Sequence, residues 1–417
     1  MCAYPREPKL VGRRDSLIAE VFRRYSAEYQ RRHLLLREQR LAATNICRCR
    51  TPELGGHEQR CPKCGLVQYR YNSCRDRNCP LCQWMDQADW SYKQAERAVG
   101  VPVFLLTFTV PYELRRIAQQ NPEPIYTLMF RATSQTLRYL ANREDLGRLG
   151  ITSVLHTWAR DMSLHPHIHS AVTAGGFDGE TWNPSKPNFL FSIEEIRLQY
   201  RRRMIRGLRR LHKKRKLKFH GELERLADAD AFASFLKDLD AKNWIADIQA
   251  PRGRPEHAMS YLADYVRSVA ISEHRMVSVS EDGAVTIKTR GKKRLTLNWE
   301  EFLRRFFLHV LPSGFRKVRH YGIYSNSSGE ILGQAKAAVA AQRPDPPSKP
   351  RPQLPATWNE RIKFHTGVDP LACPRCGHCG MISTPLPRAT PVKWDQRFDV
   401  PAPSQATRTE CTRADTS

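Results

Sequence analysis

The chain has no uninterrupted apolar run of about eighteen residues, the length a membrane-crossing helix needs. Its opening, M-C-A-Y-P-R-E-P, lacks the apolar stretch of a secretory leader, so the expected location is the cytoplasm, at the bacterial nucleoid. No G-x-x-x-x-G-K-[ST] loop is present, which removes support for nucleotide-driven chemistry, and no internal repeat organises the chain. Acidic residues are scarce: 42 Asp and Glu stand against 68 Lys and Arg, giving a formal charge of +26. Such an excess attracts polyanions, and each neutralised phosphate releases counterions, so DNA is the expected partner. With 417 residues the chain can hold two or three domains and a sizeable core.

Cysteine is not scarce, and its placement carries information. Ten of the twelve cysteines fall in two tight groups, leaving Cys2 and Cys411 apart. In a large chain without a leader, C-x-x-C spacing points to thiolate metal ligands rather than disulfides. In the first group, Cys61-x-x-Cys64 and Cys79-x-x-Cys82 have the spacing of two knuckles closing one tetrahedral zinc site. Cys49, His57 and Cys74 are left to complete a second site or to share the first, and the pairing stays open. The second group, Cys373-x-x-Cys376-x-x-Cys379 with His365 and His378 nearby, is a partial zinc signature.

Periodicity predicts an α+β protein. A basic amphipathic helix spans about Ser16 to Arg40, and a second helix runs from Gln83 to Val99. Val103 to Val110 reads as a buried strand, Pro122 to Ala141 as a helix, and Ile151 to Trp158 and Leu164 to Thr173 as neighbouring strands. From Ile193 a strongly basic helix offers Arg202, Arg206, Arg209 and Lys213 for phosphate-backbone contacts. A strand over Asn243 to Ala250, a helix over Glu256 to Val269, three short strands and a helix over Glu300 to Val310 complete the pattern. The expected units are 1–100, a helix plus zinc-binding domain; 101–335, the catalytic domain; 336–360, a Pro-rich linker; 361–385, a small cysteine motif; and 386–417, a disordered tail.

Two stretches carry chemistry. Leu164 to Ser170 reads L-H-P-H-I-H-S; in a strand, alternation sends His165, His167 and His169 to one face and Ile168 to the other. Imidazoles so arranged can hold a divalent cation that polarises a phosphate. In the helix A-M-S-Y-L-A-D-Y, Tyr261 and Tyr265 are four residues apart and share a face. A phenolate attacking a DNA phosphate gives a phosphotyrosine and a free 3′-hydroxyl, and a second tyrosine can take another strand.

The chain resembles the rolling-circle transposases of bacterial insertion sequences, HUH endonucleases of the two-tyrosine type with an N-terminal zinc-binding domain. The matching stretches are C-R-T-P-E-L-G-G-H, Y-N-S-C-R-D-R-N-C-P-L-C-Q, F-T-V-P-Y-E-L, L-H-T-W, H-P-H-I-H, Y-L-A-D-Y, H-V-L-P-S-G-F-R-K-V-R-H-Y-G and H-T-G-V-D-P-L-A-C-P-R-C-G. The resemblance implies a core with a central antiparallel sheet flanked by helices, Mg²⁺ or Mn²⁺ at the active site, structural Zn²⁺, and single-stranded DNA as substrate. It implies His167 and His169 as paired metal ligands and Tyr261 and Tyr265 as nucleophiles. His156 and His165 are candidate third ligands, with Asp264 behind them. Arg267 and Arg275 are further candidates for phosphate contacts. Three positions depart from the family pattern: Asn78 where histidine is usual, Asp264 for a residue often basic, and Glu273 for one often asparagine. The rival readings are a rolling-circle replication initiator or relaxase-like nickase with the same active site, and a non-catalytic zinc-finger DNA-binding protein.

Overall fold

The computed structural model describes residues 16–251, 262, 270–342 and 352–389. Helices α1 (Leu17–Arg32) and α2 (Arg37–Arg48) precede strands β1 (Gly56–Arg60) and β2 (Val67–Tyr71) and helix α3 (Trp84–Arg97). Strand β3 (Val103–Thr109), helices α4 (Tyr112–Gln120) and α5 (Pro122–Arg143), and strands β4 (Arg148–Trp158), β5 (Leu164–Phe177) and β6 (Trp182–Pro184) follow. After them come α6 (Ile193–Lys213), α7 (Ala229–Ala241) and β7 (Ala246–Gln249). Beyond residue 270 the chain forms β8 (Met276–Val279), β9 (Ala284–Lys288), β10 (Arg294–Asn298), α8 (Trp299–Phe307), β11 (Val318–Gly322), α9 (Gly329–Gln342), α10 (Trp358–Thr366) and β12 (Ile382–Leu386).

The central sheet runs β11-β4-β5-β3-β7, with β6 pairing the end of β5, and every pairing is antiparallel. This is the α+β architecture that the sequence pattern predicts, with the central antiparallel sheet that the family resemblance implies. Alternation divides its side chains between two faces. Phe104, Leu106 and Phe108 of β3 and Ile168 and Val172 of β5 enter the main core with residues of α4, α5, α6 and α7. Val103, Val154 and Ala171 lie on the other face, where Leu262 covers them. Helix α5 starts at Pro122, whose missing N–H costs nothing in the first turn.

A second core joins α1 and α8 to the three-stranded sheet β10-β9-β8, with Phe22 and Phe306 edge to face at 4.9 Å. The basic helix expected over Ser16 to Arg40 is interrupted. It ends at Arg32, His33 turns extended, and a new helix begins at Arg37. In the break Leu35 is buried in the second core while Leu34 stays 98% exposed. A third sheet, β12-β1-β2, joins the two ends of the described chain.

Helix α9 continues to Gln342, into the segment read as linker, because Ala335 and Val339 pack with Val99, Phe177, Trp182 and Tyr324. The expected helix over Glu256 to Val269 falls outside the described residues except for Leu262, which is helical and buried. Most of the expected tail, residues 390–417, also lies outside them. Among the described residues no helix is long and apolar enough to cross a membrane.

Candidate metal centres and catalytic face

Pairing of β4 with β5 sets His156 opposite His167 and Val154 opposite His169; β3 adds Thr109 opposite His167 and Thr107 opposite His169. Directly opposed residues share a face, so three histidines from two strands converge on the side away from α5 and α6. The register shifts just beyond His156, a local irregularity of the kind that re-aims side chains at sites.

The donor atoms of His156, His167 and His169 lie within 4.8 Å of one another. His156 Nδ1 is 3.0 Å from His167 Nε2. That equals the cis edge of an octahedron with metal–ligand bonds of about 2.1 Å, so the spacing fits a divalent cation. The His167 Nδ1–H donates to the His165 carbonyl at 2.6 Å, which leaves Nε2 as the ligand atom of a neutral ring. Thr107 Oγ1 lies 3.3 Å from His169 Nδ1 and steadies that ring in the same way. Burial lowers the pKa of His167 to about 4 and of His169 to about 3, and holds that of His156 well below its ordinary value. All three are therefore neutral at physiological pH, the form in which imidazole binds metal.

Of the two histidine candidates for a third ligand, His156 joins the group and His165 does not. The His165 ring lies beside that of His167, with centroids 5.0 Å apart, but its nitrogens are not among the grouped donors, while its carbonyl orients His167. Tyr261, Tyr265, Asp264 and Arg267 lie outside the described residues. Leu262, next to Tyr261 in sequence, is fully buried against Val103, Val154 and Ala171 on the histidine face.

Two cations near this face escape sequence reasoning because they lie on other elements. The Arg115 charge on α4 opposes protonation of His165 and His167, and its Nε is buried without a hydrogen-bond partner. Lys317 stands 4.9 Å from the Trp158 ring centroid and opposes protonation of His156. Trp158 in turn packs on His156 with ring centroids 3.8 Å apart. A cavity of about 250 Å³ opens beside it, lined by Trp90, Leu155, Thr157, Trp158, His309 and Lys317 among others.

The other expected phosphate contacts are placed elsewhere. Arg202, Arg206, Arg209 and Lys213 are exposed along one side of α6, on the opposite side of the sheet from the histidines. Arg275 donates to the carbonyls of Arg160, Ala270 and Lys288, so its guanidinium is committed to the fold rather than offered to a phosphate.

The cysteines sort differently from the expected pairing. Cys49, Cys74, Cys79 and Cys82 form one group, and Cys61 and Cys64 are drawn instead to Cys373 and Cys376. Zinc–sulfur bonds of about 2.3 Å give a tetrahedral edge near 3.8 Å. The Cys74 and Cys82 sulfurs are 3.8 Å apart, which fits. Both groups therefore suit structural zinc. His57 is exposed on β1 and belongs to neither, because the first group already has four thiols. Asn78 is bonded to Asp76 and is not needed as a ligand either. His365 bonds Asp89 rather than a metal.

The sequence did hold a signal for this pairing: C-P-K-C-G at 61–65 and C-P-R-C-G at 373–377 share a pattern that C-P-L-C-Q at 79–83 lacks. Gly65 and Gly377 both have φ of 69°, a left-handed turn that favours glycine.

Residues 150–330 match the family described as "Putative transposase", and residues 21–110 match the family described as "Transposase zinc-binding domain". The chain is 36% identical to "Putative transposase y4qJ" of Sinorhizobium fredii over 379 residues, covering 88% of this chain and 94% of that protein. It is 26% identical to the transposase for insertion sequence element IS801 of Pseudomonas savastanoi pv. phaseolicola over 343 residues, 80% of each chain. No solved structure matches it.

Proposed function

Because the chain belongs to the family of insertion-sequence transposases that join a zinc-binding domain to a transposase domain, we propose that it cuts and rejoins single-stranded DNA through phosphotyrosines at Tyr261 and Tyr265. The observation that carries this reading is the convergence of His156, His167 and His169 on one face of the central antiparallel sheet. Burial of Leu262, the residue after Tyr261, on that same face supports the reading. DNA is the partner on which a transposase acts, and the single-stranded ends of the element and its target are the proposed substrates. The setting is the cytoplasm, at the nucleoid.

A bound Mg²⁺ or Mn²⁺ supplies Lewis-acid polarisation of the scissile phosphate. His156, His167 and His169 would hold that ion, and their buried, neutral rings could bind it without first losing a proton. Arg115 offers positive charge beside the face where the transferred phosphate gains negative charge. One phenolate oxygen bonds to phosphorus, the P–O3′ bond breaks, and the 3′-oxygen leaves and takes a proton as a hydroxyl. The second tyrosine repeats the step on another strand, and the covalent link conserves the phosphodiester energy, so no ATP is consumed. A replication initiator would share this chemistry; relatives named as transposases favour movement of an element.

Incubation of the purified protein with single-stranded DNA carrying the element end tests the reading. A covalent protein–DNA adduct is expected with Mn²⁺ or Mg²⁺ and not in chelator, and Tyr261→Phe with Tyr265→Phe should abolish it. An adduct that survives the double substitution would overturn the nucleophile assignment.

A further inference from the structure

We propose that Cys61, Cys64, Cys373 and Cys376 form a second tetrathiolate zinc site that clasps the C-terminal segment onto the N-terminal zinc-binding domain. The matched zinc-binding domain ends at residue 110, so two of the four ligands come from far outside it. The Cys61 and Cys376 sulfurs are 3.6 Å apart across 315 residues, and those of Cys64 and Cys373 are 3.5 Å apart across 309. Both approach the tetrahedral edge near 3.8 Å.

The two knuckles are built alike. In each, the glycine that follows the second cysteine donates its N–H to the carbonyl of the first, at 3.0 Å for Gly65 and 2.9 Å for Gly377. Thiols brought so close without a cation repel once ionised and leave polar sulfur buried; a d¹⁰ ion that accepts four thiolates resolves both. Buried Met381 and half-buried Leu66 pack beside the site and exclude water from it.

The surrounding contacts are too slight to explain the docking by burial alone. Strand β12 pairs with β1 in register from Gly56 opposite Leu386 to Arg60 opposite Ile382, yet its side chains are mostly exposed. Helix α10 has no buried residue; it meets α3 through Asp89, which bonds His365 at 2.7 Å and Arg361 at 3.0 Å, and through partly exposed rings, Phe364 edge to face with Tyr92 at 5.1 Å and His365 near Trp84. A small polar segment of this kind holds its place through metal ligation rather than an apolar core.

The test uses the full chain with a specific protease site inserted between Ser348 and Lys349. After cutting, the C-terminal piece should stay with the body on gel filtration, and the same protein carrying Cys373→Ser and Cys376→Ser should release it. Zinc content should be two per chain in the parent and one in the double variant. Release of the piece from the parent, retention in the variant, or an unchanged zinc count overturns the clasp. Because the serine variant can fail to fold, X-ray absorption at the zinc edge of the unaltered protein decides independently. Four sulfur ligands at about 2.3 Å on average support the proposal, and a mixed nitrogen or oxygen shell overturns it.

Discussion

The Glu273 carboxylate accepts a hydrogen bond from the Leu17 amide at 2.7 Å, although the two residues are 256 positions apart. Its other oxygen accepts from Ser16 Oγ at 2.7 Å and from the Ile18 amide at 3.4 Å. The first turn of α1 is thus capped by an acid from the segment that matches the transposase family, where negative charge also suits the helix dipole. Glu273 thereby links α1 to the segment beyond residue 270.

Glu273→Ala should therefore loosen α1 from the second core. The expected cost is about 1 to 2 kcal/mol, the usual range for a lost charged helix cap. Chemical denaturation should show it, with Glu273→Gln intermediate. Stability equal to the parent in both variants would show that the cap contributes nothing.

Acid sensitivity should come in part from His309. It is buried, with Thr157 Oγ1 3.2 Å from its Nδ1 and its Nε2–H donating to the Met162 carbonyl at 3.0 Å. Burial lowers its pKa to about 4. Unfolding restores a value near 6.5, so between those limits the unfolded chain binds a proton that the folded chain does not. Stability is complete above pH 6.5 and falls as the pH drops toward 4, by roughly 3 kcal/mol in all. Urea midpoints across this range should fall less steeply for His309→Asn, whatever its stability at neutral pH.

The exposed basic side of α6 should contribute affinity without touching the chemistry. Arg202→Gln, Arg206→Gln and Arg209→Gln together should reduce the slope of log K against log salt by up to about 3, since each phosphate contact contributes roughly 0.7 to 0.9. The rate of adduct formation at saturating DNA should stay the same. A loss of rate at saturation would contradict the placement of α6 behind the sheet.

Arg115 should behave in the opposite way. Arg115→Gln removes a charge beside the histidine face and should slow adduct formation about 10- to 100-fold with little change in folding. Equal rates for parent and variant would exclude it from the reaction.

The sequence by itself determined β3, β4, β5 and β7 of the central sheet, because β3 and β4 are dense in β-branched and aromatic residues and bounded by clear breaks, but it did not mark β6 or β11. It also determined that His167 and His169 share a face, since alternation along a strand needs no partner. It did not separate His156 from His165 as third ligand. Both rings lie near His167, and only the β4–β5 register, with its irregularity after His156, brings the nitrogens of His156 and not those of His165 into the donor group.

The cysteines show the same division. Local spacing identified the knuckles, but a thiol's partners are chosen by how distant elements dock, and β12 brings Cys373 and Cys376 across the chain to Cys61 and Cys64. The basic helix was equally visible as a charge run, while the side of the sheet on which it lies depends on packing of Tyr200 and Leu208 into the core. Local pattern fixes which way a side chain points from its own backbone; the tertiary structure decided what stands opposite it.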